Sequence, residues 1–199
     1  MTQGRLIYLM GPSGSGKDSV LEALEGRLEN RRCRIARRII TRDADPGGEQ
    51  AAAVSFQAFE ARESAGGFAM SWRANGLAYG IGLEINAWLA DGYLVVINGS
   101  RGYLDEARRR YPQLEAILLE VEPAVLRSRL LMRARESAAQ IEARMARSAL
   151  FADRRGSATG GVLHIDNSGP LERAVEQMLR VVDGWQSPNA GHLPGSGSG

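Results

Sequence analysis

The stretch GPSGSGKDS, Gly11 to Ser19, concentrates more chemistry than any other part of the chain. It fits the phosphate-binding pattern G-x-x-x-x-G-K-[ST] everywhere but at the last position, where Asp18 replaces the hydroxyl that holds magnesium. Glycine lets successive backbone N–H groups turn inward around phosphate oxygens, and a helix opening directly after the loop adds its partial positive charge. Gly11, Pro12, Ser13, Gly14, Ser15, Gly16, Lys17 and Asp18 are therefore the expected nucleotide site, with Lys17 reaching the β and γ phosphates. A carboxylate among phosphates should repel them, and two readings of Asp18 stand. Either it contacts Mg²⁺, directly or through water, so that the ion bridges carboxylate and phosphates, or it only favours the positive end of its helix, worth about 0.3 to 1 kcal/mol. Asn98 ends a predicted strand where many such proteins place a magnesium-side carboxylate, which suggests that the acidic group has moved to position 18.

Moving a phosphoryl group between two anions requires several cations around it, because positioning and charge stabilisation supply most of the catalysis. LRSRLLMRARES places Arg129 and Arg133 four residues apart on one helical face, then Arg135, before a helix carrying Arg144 and Arg147. Ser137 and Gln140 form a capping box at the start of that helix. The segment has the make-up of a lid that closes over the nucleotide and excludes water; Lys17, Arg133, Arg135 and Arg144 are the expected catalytic cations. The alternative is an exposed arginine-rich helix with Glu136 and Glu142 as partners. For the acceptor, ITRDADPGGE offers Arg42 on a turn, and SWRANGLAYG offers Ser71, Arg73, Asn75 and Tyr79, donors suited to phosphate and sugar oxygens. Arg101, in VINGSR, joins Arg42, Ser71, Asn75 and Tyr79 as an expected acceptor ligand, whereas Arg73 could equally face solvent.

The elements that must hold these groups alternate along the chain. RLIYLM reads as a buried strand, and SVLEALEGRLENR as a helix with Val20, Leu21, Leu24 and Leu28 on one face. YLVVING and LEAILLEVE are buried-strand candidates followed by arginine-bearing helices; VLHID is a last strand, before a helix marked by Leu171, Ala174, Val175, Met178, Leu179 and Val182. Such alternation predicts an α/β fold, a parallel sheet flanked by helices on both faces. One domain is expected over 1–187, with an irregular acceptor-binding insertion at about 40–82, a helical lid at about 133–147 and a disordered tail at 188–199. Within the insertion, FQAFEARESA predicts a short helix and FAMSWRANGLAYGI two strands around the turn ANG.

Composition excludes more than it identifies. At 199 residues, 44% hydrophobic and 24% charged, the chain is long enough for one sizeable core. A net charge of +2, with basic and acidic residues interspersed, points to neither nucleic acid nor a membrane surface. Cys33 stands alone, which fits a reducing compartment, and no apolar run reaches the ~18 residues that span a bilayer. The short apolar part of MTQGRLIYLMG does not suit a signal peptide, so a cytoplasmic location is expected. A guanine-reading N-K-x-D is missing, motors run longer, and a kinase for a small acceptor suits the length best.

With loop, insertion and lid in this order, the chain resembles the guanylate-kinase-like nucleoside monophosphate kinases, whose acceptor region begins T-R and ends Y-G, as Thr41–Arg42 and Tyr79–Gly80 do here. It departs from guanylate kinases in having Asp45 where they carry a second arginine, and Ser71 before Trp72 where they place a base-reading glutamate. Losing that carboxylate removes most of the specificity for guanine. LMGPSGSGKDS, ITRDA, SWRANGLAYGIGLEI and VINGSR look closer still to the ribose 1,5-bisphosphate phosphokinases of bacterial phosphonate catabolism, a family that itself carries GKDS. The resemblance implies ATP and Mg²⁺ as cofactors and ribose 1,5-bisphosphate as the small-molecule partner, phosphorylated on its 1-phosphate to 5-phosphoribosyl 1-diphosphate. Rival readings are a true guanylate kinase and a non-catalytic interaction module of the same fold. The sequence leaves the oligomeric state open and is compatible with a homodimer.

Overall fold

A computed structural model describes residues 4–41, 52–132, 137–153 and 161–186. Arg42, Asp45, Arg133, Arg135, Glu136 and the tail at 188–199 lie outside them.

The core is a five-stranded, wholly parallel sheet. β1 (Arg5–Met10) lies at its centre between β7 (Leu94–Asn98) and β8 (Glu115–Glu120); β2 (Cys33–Ala36) extends the β7 side and β9 (Val162–Asp166) the β8 side. Runs such as Leu6 to Met10 and Leu94 to Ile97 are apolar at every position because both faces of the sheet are covered. On one face, α1 (Lys17–Glu25) and α7 (Leu171–Gln186) pack Val20, Leu21, Leu24, Ala174, Val175, Met178 and Val182 against Ile7, Leu9, Val96 and Ile117. Helix α1 ends at Glu25, six residues short of the expected extent, yet Leu28 still reaches this core from the turn beyond. Cys33 lies in it too, and burial pushes its thiol up to about 12, leaving an unreactive packing residue.

The opposite face carries helices as expected, joined there by part of the inserted region. Helices α3 (Glu84–Ala90) and α4 (Leu104–Arg110) contribute Ile85, Leu104 and Ala107, but Met70, Trp72 and Ile81 come from the inserted region. That region is more regular than its sequence suggests. β3 (Arg38–Thr41), β4 (Ala52–Val54), β5 (Phe68–Ala74) and β6 (Leu77–Gly82) form a second sheet in the order β4-β3-β6-β5, with β3 and β4 parallel and the other pairs antiparallel. Short strands with mixed burial leave no clean alternation to read. The two features that were legible, α2 (Phe56–Ser64) and the β5–β6 hairpin, are present; Asn75 and Gly76 turn the hairpin with φ of 51° and 76°, the paired positive values of a type I′ turn. Phe59 of α2 stacks on Phe68 at 4.6 Å in a small separate core with Ile39 and Ala78.

Finally, α5 (Pro123–Met132) and α6 (Ala138–Asp153) pack through Leu126, Leu130 and Ile141, and Arg127 pairs with Glu142 between them. The expected capping box opens α6: the Ser137 N–H donates to Gln140 Oε1 at 2.8 Å and the Gln140 N–H to Ser137 Oγ at 3.3 Å.

Candidate active site

The turn from β1 into α1 is shaped by left-handed backbone at Gly14 and Gly16, with φ of 90° and 88°. A Cβ at Gly16 would lie 2.7 Å from Asn167 Nδ2, so this position excludes side chains sterically as well as conformationally. Asn167 follows β9, is 2% exposed, and donates from Nδ2 to the Ser15 carbonyl at 2.7 Å, while its own N–H reaches the Glu120 carbonyl at 2.8 Å. The loop is thereby tied to two strands of the core. Ser15 is wholly buried beneath it. Lys17 Nζ donates to the carbonyls of Gly11 and Pro12, at 2.9 and 3.1 Å, curling over the loop.

A cleft of about 690 Å³ opens in front of this loop. Gly11, Pro12, Ser13, Gly14, Gly16, Lys17 and Asp18 form one wall. Asn75 and Tyr79 of the hairpin, with Arg101 on the turn after β7, form the facing side, and Arg144 enters from α6. Arg144 donates to Ser13 Oγ, so the lid-segment arginine meets the phosphate loop. Of the expected site residues, Ser71 is not among those lining the cleft; it acts instead on the Glu63 carboxyl. Arg73 lines the cleft and is bidentate to Glu63, at 3.1 and 2.5 Å, while remaining exposed to solvent. This arginine holds the Glu63 carboxyl below its usual range, with Ser71 assisting.

Asp18 has a defined partner. Asn98 Nδ2 donates to Asp18 Oδ1 at 2.6 Å, and the Asp18 side chain stays 41% exposed at the cleft mouth. The link between positions 18 and 98, suggested by their chemistry, is a direct contact. Asn98 is buried, and its Oδ1 has no hydrogen-bond partner among the described residues. A partly exposed carboxylate beside the phosphate loop suits a hard cation that takes most of its shell from phosphates and water. Among the described residues there is no group of three or more His, Cys, Asp or Glu that could hold a metal ion.

Several cleft residues escaped the sequence reading. Trp72 and Tyr103 line it, stacked at 5.5 Å, and Trp72 also stacks on Tyr79 at 5.6 Å, its cross-strand partner in the hairpin. Arg38 places its guanidinium 4.9 Å from the centre of the Tyr79 ring. Tyr8 Oη, from β1, donates to the Ser100 carbonyl at 2.8 Å and accepts from the Ser100 N–H at 2.9 Å, fixing the turn that carries Arg101. Cross-strand placement of Tyr79 opposite Trp72 was the one available signal, since the hairpin turn sets that register. Nothing local to the sequence pointed to Arg38 or Asn167.

Guanylate kinase from Anaplasma phagocytophilum shares this fold, with a TM-score of 0.72 at 14% identity over 95% of this chain and 89% of that one. Fold and phosphate loop together define a guanylate-kinase-like P-loop protein. No family model matches the chain, but its sequence relatives are close. Ribose 1,5-bisphosphate phosphokinase PhnN from Pseudomonas paraeruginosa is 58% identical over 181 residues, 91% of this chain and 96% of that protein. The proteins of the same name from Pseudomonas fluorescens and Azotobacter vinelandii are 54% and 53% identical, covering 90% of this chain and 95% and 96% of their own lengths. The chain belongs to the ribose 1,5-bisphosphate phosphokinase family. Among the described residues no helix is long and apolar enough to cross a membrane.

Proposed function

We propose that the chain transfers the γ-phosphoryl group of ATP to the 1-phosphate of ribose 1,5-bisphosphate, giving 5-phosphoribosyl 1-diphosphate and ADP. The observation that carries this reading is that, in a member of this family, the phosphate loop shares one cleft with Asn75, Tyr79 and Arg101. The loop from Gly11 to Gly16 presents the backbone N–H groups of Ser13, Gly14 and Gly16 to the nucleotide phosphates, and Lys17 exchanges its loop carbonyls for β and γ oxygens. Arg144, already at Ser13, stabilises charge on the transferring group, with Arg133 and Arg135 of the same lid segment, 133–147. Asn75, Tyr79, Arg101 and Arg42 hold the acceptor; Ser71 supports that wall through Glu63. Asp18, held in place by Asn98, would hold magnesium, which when bound neutralises phosphate charge. No protein base is required, because a phosphate monoester with a second pKa of about 6 is largely ionised at neutral pH. The small-molecule acceptor, the even charge balance and the lone buried Cys33 suit a cytoplasmic enzyme without a nucleic-acid or membrane partner.

Phosphorus NMR of the full chain with ATP, Mg²⁺ and ribose 1,5-bisphosphate tests the reading. A new pair of coupled diphosphate signals on the sugar should appear as ATP converts to ADP. Release of inorganic phosphate with no such pair would refute the transfer.

A further inference from the structure

Between the phosphate loop and the acceptor wall stands a cation that the proposed function leaves without a task. Arg38 begins β3, and its side chain, 12% exposed, lines the cleft. Its guanidinium lies over the Tyr79 ring, and Tyr79 stacks on Trp72, which in turn stacks on Tyr103. Four planar groups thus run in series along the acceptor side. Trp72 is only 7% exposed and meets two tyrosine rings, so its faces are spent on the protein rather than offered to a nucleobase. What the series delivers to the cleft is a charged, planar fork. Arg38 Nη2 lies 3.9 Å from Asp18 Oδ1, beyond the roughly 2.7–2.9 Å of a tight charge-assisted bond. Since Asp18 adjoins Lys17, Arg38 occupies the junction where donor and acceptor phosphates must meet.

We infer that Arg38 binds the attacking phosphate of the acceptor, holding it against the γ-phosphoryl group and offsetting the repulsion between the two anions. The inference rests on the proposed function. In the step it serves, an oxygen of the 1-phosphate forms a bond to the γ phosphorus, the bond from that phosphorus to the β–γ bridging oxygen breaks, and ADP departs with the electron pair. The nucleophilic oxygen is already ionised, so no proton moves. A guanidinium suits this position because it takes two phosphate oxygens at once, and the contact with the Tyr79 ring orients it before the acceptor arrives.

Arg38→Met keeps much of the aliphatic stem and removes the charge; Arg38→Lys keeps the charge and removes the fork. Both are assayed as full chains with Mg²⁺ for ADP formation over a range of ribose 1,5-bisphosphate, for ATP affinity by calorimetry without acceptor, and for thermal unfolding. For Arg38→Met, kcat/KM for the acceptor should fall about 100-fold or more while ATP affinity stays within about twofold, and Arg38→Lys should recover about tenfold of the loss. Acceptor kcat/KM within about threefold of wild type, or an equal loss of ATP affinity, would overturn the inference. Should Arg38→Met not fold, Arg38→Lys decides: a raised acceptor KM with unchanged ATP affinity supports the assignment, and a wild-type KM refutes it. A wild-type chain inactive on ribose 1,5-bisphosphate brings down the proposed function itself, and the inference with it.

Discussion

The two walls of the cleft rest on different foundations. The phosphate loop springs from the central strand of an all-parallel sheet and is tied by Asn167 to the end of β8. The acceptor wall, apart from Arg101 on the turn after β7, rests on a four-stranded mixed sheet that leans on the main core through Met70, Trp72 and Ile81 and has a small core of its own in Ile39, Phe59, Phe68 and Ala78. Phosphate is the same ligand in every nucleotide, so its site can be rigid and built largely from backbone. An acceptor must be distinguished from its competitors, which calls for side chains brought together from several segments on a scaffold that can vary.

Lys17→Ala should break the donor wall alone. Turnover is expected to drop about 10³-fold, near 4 kcal/mol, with the melting temperature almost unchanged, as read by ADP-release rates and thermal unfolding. Phe59→Ala should break the other wall: emptying a fully buried site costs about 3 kcal/mol or more. Because that core is local, the loss should appear as faster hydrogen exchange across β3 to β6 and a higher acceptor KM, with ATP binding retained. Equal weakening of both substrates would show that the walls do not act separately.

Smaller effects sharpen the contrast. Asp18→Asn removes charge at the proposed magnesium position, and the Mg²⁺ concentration for half-maximal rate should rise about tenfold, near 1.4 kcal/mol. An unchanged Mg²⁺ dependence would leave Asp18 only its place at the helix N-terminus. Glu63→Gln tests the outer support of the acceptor wall. Arg73 and Ser71 lower the Glu63 pKa in the folded chain, so its contribution is present above the unfolded value of about 4.3 and is lost as pH falls through the lower, folded one. The pair is partly exposed, so the loss above that range should be about 0.5 kcal/mol or less, and the variant's stability should fall less steeply on acidification than wild type's, as urea midpoints from pH 6 to pH 3 would show.

This division also explains what was legible in the sequence. The strand, loop and helix from Arg5 to Glu25 are contiguous, and each obeys a local rule: apolar runs for buried parallel strands, glycine where φ is positive, lysine at the helix start. The capping box at Ser137 and the Asn75–Gly76 turn were readable for the same reason. The small sheet was not, because strands of three or four residues hold too few alternations to establish a period. Arg38 lies 41 positions from Tyr79, and Asn167 lies 152 from Ser15; only the tertiary fold joins such pairs. Asp18 and Asn98 are intermediate, since complementary chemistry suggested the link before the 2.6 Å contact defined it.

Parallel ADP-release assays with ribose 1,5-bisphosphate and with GMP, at saturating ATP and Mg²⁺, test the central claim most directly. Rapid, saturable turnover of the sugar bisphosphate with GMP near the background rate is the predicted result. Robust turnover of GMP alone would contradict it.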